Sequence, residues 1–355
     1  MKKHNFSAGP SILPKEVLED ASKSVLELDN IGLSLIEISH RSKEFISIME
    51  EATARVLKIT ELQNKGYKAI FVQGGASLQF LMTAYNLLET KAAYINTGTW
   101  SVKAVKEAKL LGSVLEISSS QDKNFNYIPE VNNIPNDIDY LHITTNNTIF
   151  GTQYKSFPDC SPPLIADMSS DIFSRKIDFS KFDLFYAGAQ KNMGPAGVTL
   201  VVIKESLLNK VSRKIPTMLN YSSYIKADSM LNTPPVFAVY TTLLNLRWIE
   251  SQGGINELEK RNLKKAELLY AEIDRNSFFN GFAEVKDRSH MNVTFTLNNE
   301  NLSDDFNKIW ENNNISGIKG HRSVGGYRAS IYNALSIESI NVLINCMQQF
   351  EKINK

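Results

Sequence analysis

Cysteine is nearly absent from this 355-residue sequence, Cys160 and Cys346 being the only two. Two thiols cannot make a disulfide framework or a four-cysteine zinc site, so a reducing compartment and two inert thiols are expected. Long apolar runs are missing too. Stretches such as Val198 to Ile203 are far too short to cross a bilayer, and the opening Met1-Lys2-Lys3-His4-Asn5-Phe6-Ser7-Ala8-Gly9-Pro10 carries positive charge with no apolar stretch behind it. The chain is expected to be cytosolic, with no membrane partner. Nor does one sign of charge dominate: 39 Lys and Arg against 38 Asp and Glu leave +1. That balance excludes the electrostatic footprint of a dedicated nucleic-acid binder. Internal repeats, low-complexity tracts and flexible linkers are also lacking.

What is present is an ordinary core-forming composition, 43% hydrophobic, in a chain long enough for roughly two domains at about 150 residues each. From Tyr67 onward, short apolar runs alternate with segments of helical period. This is the pattern of a mostly parallel sheet covered by helices, an α/β fold. The predicted strands are Lys68 to Val72, Ala92 to Ile95, Val114 to Ile117, Tyr140 to Thr144, Leu164 to Ala166, Leu184 to Tyr186 and Val198 to Ile203. Around Phe237 to Asn276 the pattern changes to two long helices split by Gly253-Gly254, a helix-stopping pair. The expected division is a large domain at 16–254 and a small α/β domain at 255–355, with 1–15 packing on the latter. The small domain is predicted to hold strands at Asn292 to Leu297 and Tyr327 to Tyr332, and helices at Ser303 to Asn313 and Ser336 to Phe350.

Chemistry concentrates in Asp183-Leu184-Phe185-Tyr186-Ala187-Gly188-Ala189-Gln190-Lys191-Asn192-Met193-Gly194, a lysine among small residues between two strands. A lysine at a strand end beside a partly dry cavity can lose its proton and attack a carbonyl, which makes Lys191 a Schiff-base candidate. The alternative is a solvated loop lysine. Upstream, Leu164-Ile165-Ala166 runs into Asp167, at the strand edge where open α/β sheets bind ligands. A pyridoxal phosphate enzyme needs a lysine for the aldehyde and an acid for the ring nitrogen, and Asp167 with Lys191 answers both needs. A helix N-cap is the plainer role for Asp167. Gly74-Gly75-Ala76-Ser77 opens a helix, whose N–H groups suit a phosphate. Trp100 is placed to lie flat on a planar ring, or else in the core, and Thr148 to donate a hydrogen bond, or else to shape a turn.

Taken in order along the chain, these segments resemble the phosphoserine aminotransferase family, pyridoxal phosphate enzymes of fold type I. The resemblance is carried by Asn5-Phe6-Ser7-Ala8-Gly9-Pro10, by Ile38-Ser39-His40-Arg41-Ser42-Lys43-Glu44-Phe45, by Ala187 to Gly197, and by Gly320-His321-Arg322-Ser323-Val324-Gly325-Gly326-Tyr327-Arg328-Ala329-Ser330. It implies a large domain with a seven-stranded-type sheet and a smaller C-terminal domain. It implies that Lys191 holds the cofactor, Asp167 pairs with the ring nitrogen, Trp100 stacks on the ring, Thr148 bonds it, and Ala76, Ser77 and Gln190 hold its phosphate. Asn232-Thr233 would reach that phosphate from a second subunit, giving a homodimer with shared sites. No metal is implied.

The implied substrates are L-glutamate and 3-phosphohydroxypyruvate, both anionic. Arg328 would take the α-carboxylate in a bidentate fork, while His40, Arg41, His321 and Arg322 face the distal carboxylate or phosphate. Surface ion pairs are the alternative for these cations. The expected mechanism is ping-pong, with Lys191 as the base that moves the α-proton. A second phosphorylated substrate, phosphohydroxythreonine of vitamin B6 synthesis, is also associated with the family. The rivals are another fold-type I enzyme, such as a cysteine desulfurase or an alanine-glyoxylate transaminase, and a silent binder that senses a phosphorylated metabolite. A desulfurase needs a mobile thiol, and neither Cys160 in a proline-rich turn nor Cys346 in a helix is well placed.

Overall fold

The computed structural model describes residues 3–355. Its largest sheet has seven strands: β1 (Tyr67–Val72), β2 (Lys91–Asn96), β3 (Ser113–Ser119), β4 (Leu141–Thr144), β5 (Leu164–Asp167), β6 (Leu184–Gly188) and β7 (Thr199–Lys204). Their spatial order is β1-β7-β6-β5-β4-β2-β3. All pairings are parallel except those of β7, which runs antiparallel to both β1 and β6. Alternation within β1 shows why these runs are strands. Ala69 and Phe71 enter the apolar cluster on one face, Ile70 and Val72 that on the other. A strand buried on both faces must be apolar at nearly every position, and each large side chain so buried stabilises the fold by about 1.5 to 3 kcal/mol.

Helices α1 (Lys15–Leu26) and α2 (Lys43–Ile59) pack on the first face, and α3 (Gly75–Leu87) and α4 (Thr99–Ala108) on the second. The sequence reading starts at Tyr67 and assigns neither α1 nor α2. Both have an apolar stripe, and α2 starts at Ser42, whose Oγ accepts from the Phe45 N–H. The helix α5 (Val236–Ser251) belongs to the first face, and α6 (Gly254–Arg275) spans two cores. Leu258 of α6 joins the first cluster, and Ala266, Leu269 and Ile273 join a separate one. That second core is built on an antiparallel sheet of β8 (Phe279–Gly281), β9 (Asn292–Leu297) and β10 (Tyr327–Ser330), with α7 (Ser303–Asn312) and α8 (Ile337–Asn354) against it.

The strand expected to reach Tyr332 stops at Ser330. Beyond it, the carbonyls of Ile331, Tyr332 and Leu335 turn to accept from the buried Lys265 Nζ at 2.9, 2.7 and 3.0 Å. An ammonium buried without an acid must satisfy its three donors this way.

The N-terminal segment ties everything together. His4–Asn5 pairs in parallel with Ile315–Ser316, and Phe6 is wholly buried in the second core. Tyr332 donates its hydroxyl to the Ala8 carbonyl at 2.8 Å, and Ser11 N–H donates to the Gln190 carbonyl at 3.0 Å. Residues 6–11 therefore form a strap from the smaller sheet to the lysine loop. Of the segment 1–15, residues 1 and 2 lie outside the described residues. Among the described residues no helix is long and apolar enough to cross a membrane.

Candidate active site

Six strands, β1 to β6, end at one edge of the large sheet, and β7 begins there. The loops at this edge line a cleft of about 310 Å³ with Ala76, Ser77, Trp100, Thr148, Asp167, Gln190 and Lys191, and His321 and Arg328 close it from the smaller sheet. Nine of the residues singled out from the sequence thus meet in one place. The cleft also takes Ala8, Gly9, Phe80, Ile149 and Ser169.

Lys191 follows β6 in a turn held by the Ala189 carbonyl, which accepts from the N–H groups of Met193 and Gly194. Its Nζ donates to Thr148 Oγ1 at 2.6 Å and stands 5.6 Å from the centroid of the Trp100 ring. Burial pushes this amine down to about 8; Asp167 opposes the shift and the Arg328 guanidinium adds to it. Asp167 ends β5 and is buried. Ser169 donates to its Oδ1 from both N–H at 2.9 Å and Oγ at 2.6 Å, so Oδ2 remains for the cleft. Burial pushes the carboxyl up, while the charge of Lys191 and the Ser169 bonds pull it back. The capping role weighed for Asp167 is real but local, a turn closed on Ser169.

The α3 N-terminus is uncapped by any side chain, and its N-cap Gly74 sits at φ 94°. A Cβ there would press to 2.6 Å from Leu78 Cβ, so glycine lets the chain turn tightly enough to aim the N–H groups of the first turn outward. These N–H groups and the Ser77 side chain can hold a phosphate, with the helix dipole favouring the anion. Trp100 occupies the first turn of α4, which starts where Ser101 Oγ accepts from the N–H groups of Thr97 and Gly98. Gly98 allows the loop carrying Thr148 to pass, since a Cβ would lie 2.7 Å from Asn147 Oδ1. Two donors facing this region, Trp100 Nε1 and Arg328 Nε, are buried without partners. Unpaired donors of this kind fit a site shaped for an anionic, planar ligand.

His40, Arg41, Arg322, Asn232 and Thr233 do not line the cleft. His40 and Arg41 lie in the turn just before α2, with Arg41 exposed, and Thr233 lies against Gln73, whose Nε2 donates to its carbonyl at 2.7 Å. Arg322 sits beside His321 in the loop 320–326, where His321 Nδ1 is 2.8 Å from Ser323 Oγ. Ser169, Gly9 and Phe80 escaped the sequence reading. Ser169 alone had a local signal, its place two residues after an aspartate, where a hydroxyl can close an Asx turn. Neither cysteine reaches the cleft: Cys160 Sγ lies 3.3 Å from the Pro162 carbonyl, and Cys346 is buried in α8. Among the described residues no cluster of three or more metal-capable side chains occurs.

A mostly parallel sheet with a lysine, an acid and a helix N-terminus converging at its carboxyl edge is the pyridoxal phosphate-dependent aminotransferase fold. The chain belongs to the class-V aminotransferases, whose family model, described as "Aminotransferase class-V", matches residues 3–343. It is 60% identical to the phosphoserine aminotransferase of Flavobacterium johnsoniae over 353 residues, 99% of either chain. The solved phosphoserine aminotransferase from Bacillus circulans subsp. alkalophilus superposes with a TM-score of 0.96 at 44% identity, covering 100% of this chain and 99% of that one. The pyridoxal phosphate-bound phosphoserine aminotransferase from Trichomonas vaginalis superposes at 0.92 with 34% identity, covering 98% and 100%.

Proposed function

We propose that this chain is a phosphoserine transaminase, moving the amino group of L-glutamate to 3-phosphohydroxypyruvate to give 2-oxoglutarate and O-phospho-L-serine. The observation that carries the reading is the meeting of Lys191, Asp167 and Arg328 in one cleft, in a chain 60% identical to an enzyme of that name. Pyridoxal phosphate, one per subunit, would be held by Lys191, with its phosphate at Ala76, Ser77 and Gln190 and its ring between Trp100 and the floor of the cleft. Bound there, it supplies an electron sink for the negative charge that forms at the amino acid's α-carbon.

The chain's own residues then do the rest. Arg328, freed of any acid partner, grips the substrate α-carboxylate with two parallel hydrogen bonds. Lys191, near 8, is partly neutral at physiological pH, so its Nζ can take the α-proton and return it. Asp167, whose Oδ1 is taken by Ser169, would pair with the ring nitrogen of the bound cofactor through Oδ2. Thr148 accepts from Nζ and keeps the amine aimed inward. The distal carboxylate or phosphate would be met by His321 from the cleft wall and by Arg322 beside it, with His40 and Arg41, which lie outside their own cleft, joining from a second subunit.

A homodimer is part of this reading. Asn232 and Thr233 lie outside their own cleft, and Leu26 at the end of α1 and Ile36 ahead of His40-Arg41 are 84% and 58% exposed, apolar surface a partner would cover. A cytoplasmic place, a domain division at 254/255 and turnover of phosphohydroxythreonine belong to the same reading. The test is an absorbance spectrum of the purified protein with pyridoxal phosphate, before and after glutamate, and then after the oxo acid. The cofactor band should fall with glutamate and return with phosphohydroxypyruvate, not with pyruvate. Equal return with pyruvate would remove the phosphate role of Arg322 and Arg41.

A further inference from the structure

The rim of the cleft carries a cation that the function above leaves unused. Lys103 stands one turn after Trp100 on α4, exposed, with its Nζ 4.7 Å from the centroid of the Trp100 ring. Two other lysines nearby in sequence do find acids. Lys109 pairs with Glu116 at 2.9 Å and Lys123 with Glu284 at 3.2 Å. Lys103 has no such partner among the described residues, although Glu107 lies one turn along the same helix. Its stem instead lies by the indole ring, an arrangement that positions an ammonium without neutralising it.

The opposite rim is the loop 320–326, and it packs against the same small apolar cluster as the tryptophan. Val324 and Trp100 pack together against Phe125, Ile149 and Phe150. Val324 N–H and Gly325 N–H both donate to the His321 carbonyl, at 2.9 and 2.8 Å, and Gly320 N–H donates to the Gly326 carbonyl at 2.9 Å. The loop is therefore a closed turn that presents His321 and Arg322 next to α4. Electrostatics agrees with this proximity: burial pushes the His321 ring down, and the charges of Arg328, Arg322 and Lys103 push it further. Three like charges held together without an acid are poorly placed for stability and well placed for a dianion.

We propose that Lys103 is a specificity-determining residue, a third cation for the substrate's phosphate, contributed by the same subunit as Lys191 and facing His321 and Arg322 across the mouth of the cleft. The inference rests on the phosphoserine reading. A dianionic phosphate has three oxygens to satisfy, and a lysine is a flexible point charge with three donors that suits it without demanding the planar geometry of a carboxylate. Glutamate's single distal charge gains less from a third cation. Lys103 thus favours the phosphorylated substrate over the carboxylate that shares its place.

The test uses Lys103→Gln and Lys103→Arg in the cofactor-loaded protein, where an exposed substitution on α4 leaves the core intact. With Lys103→Gln, kcat/KM for phosphohydroxypyruvate and the affinity for O-phospho-L-serine, read by spectral titration, should each fall about tenfold, the scale of one charge-assisted hydrogen bond. The loss should lie in KM, glutamate should be little affected, and Lys103→Arg should restore most of it. The dependence of phosphoserine affinity on salt should also become shallower. An equal loss for glutamate, or no loss for either, would overturn the role of Lys103. A wild-type protein that ignores phosphorylated substrates would overturn the reading beneath it, and the two failures are told apart by the wild-type control.

Discussion

Lys191 Nζ lies 2.6 Å from Thr148 Oγ1, so the amine that would hold the cofactor is already turned into the cleft by a donated hydrogen bond. Its attack on an aldehyde needs the neutral form. Covalent uptake of pyridoxal phosphate by the cofactor-free protein should therefore accelerate as pH rises through about 8 and then level off. Asp167→Asn removes the charge that raises this amine's pKa, so the midpoint should move lower. The effect on stability has the same origin. Below 8 the lysine is protonated both folded and unfolded, and the burial penalty is complete. Between 8 and the unfolded value of about 10.4 the folded chain binds fewer protons, so stability should rise with pH. Denaturant midpoints of the cofactor-free protein across that window measure it, and a flat or falling curve would contradict the assignment.

Arg328 sits on β10 with Nε buried and unpartnered. Arg328→Lys keeps the charge and removes the fork. The expected result is a 10- to 100-fold fall, on the order of the loss of one charge-assisted bond in a dry site, in kcat/KM for both glutamate and the oxo acid. Because both substrates carry the α-carboxylate, the loss should be shared. This separates Arg328 from Lys103, whose effect is confined to the phosphorylated substrate.

The shared-site reading predicts complementation. Lys191→Ala and a double Asn232→Ala, Thr233→Ala variant should each be impaired alone. Unfolded together and refolded, or co-expressed, they should yield mixed dimers with one intact site and recover up to about one quarter of wild-type activity, if subunits assort at random. Mixtures no more active than the better parent would show that Asn232 and Thr233 serve their own subunit or none.

Phe6 is wholly buried in the second core, far in sequence from everything it touches. Phe6→Ala should lower stability by about 3 to 5 kcal/mol, the cost of deleting a buried aromatic side chain. It should also loosen the strap, visible as faster amide hydrogen exchange at Ser11, whose N–H now donates to the Gln190 carbonyl. Unchanged exchange at that amide would mean that the strap is held from the lysine loop alone.

Most of the large sheet was legible because its strands are buried on both faces, which forces short continuous apolar runs between glycine turns. The Asp167 and Lys191 positions were legible for the same reason, each lying where such a run ends. What escaped was non-local. Nothing near Ala8 or Gly9 announces that they will wall a cleft, because their place depends on the Tyr332 hydroxyl and the Gln190 carbonyl. The end of β10 at Ser330 was invisible for a similar reason, since the carbonyls beyond it turn to Lys265, 66 positions back along the chain. Arg322 and Lys103 differ in legibility too. The first stands in a recognisable glycine-bounded segment, whereas the second is one lysine among many until Trp100 is seen beside it.

The strap has a consequence for how the protein is made. Residues 4–11 are made before the elements that hold them: His4 bonds to Ser339, 335 positions away, and His4–Asn5 pairs with Ile315–Ser316. During synthesis the large sheet can close while those first residues still wait for partners that have not been translated. The cleft wall formed by Ala8 and Gly9 is then the last part of the pocket to be set. A chain that stopped short of Ile315 and Tyr332 would carry Lys191 and Asp167 without that wall.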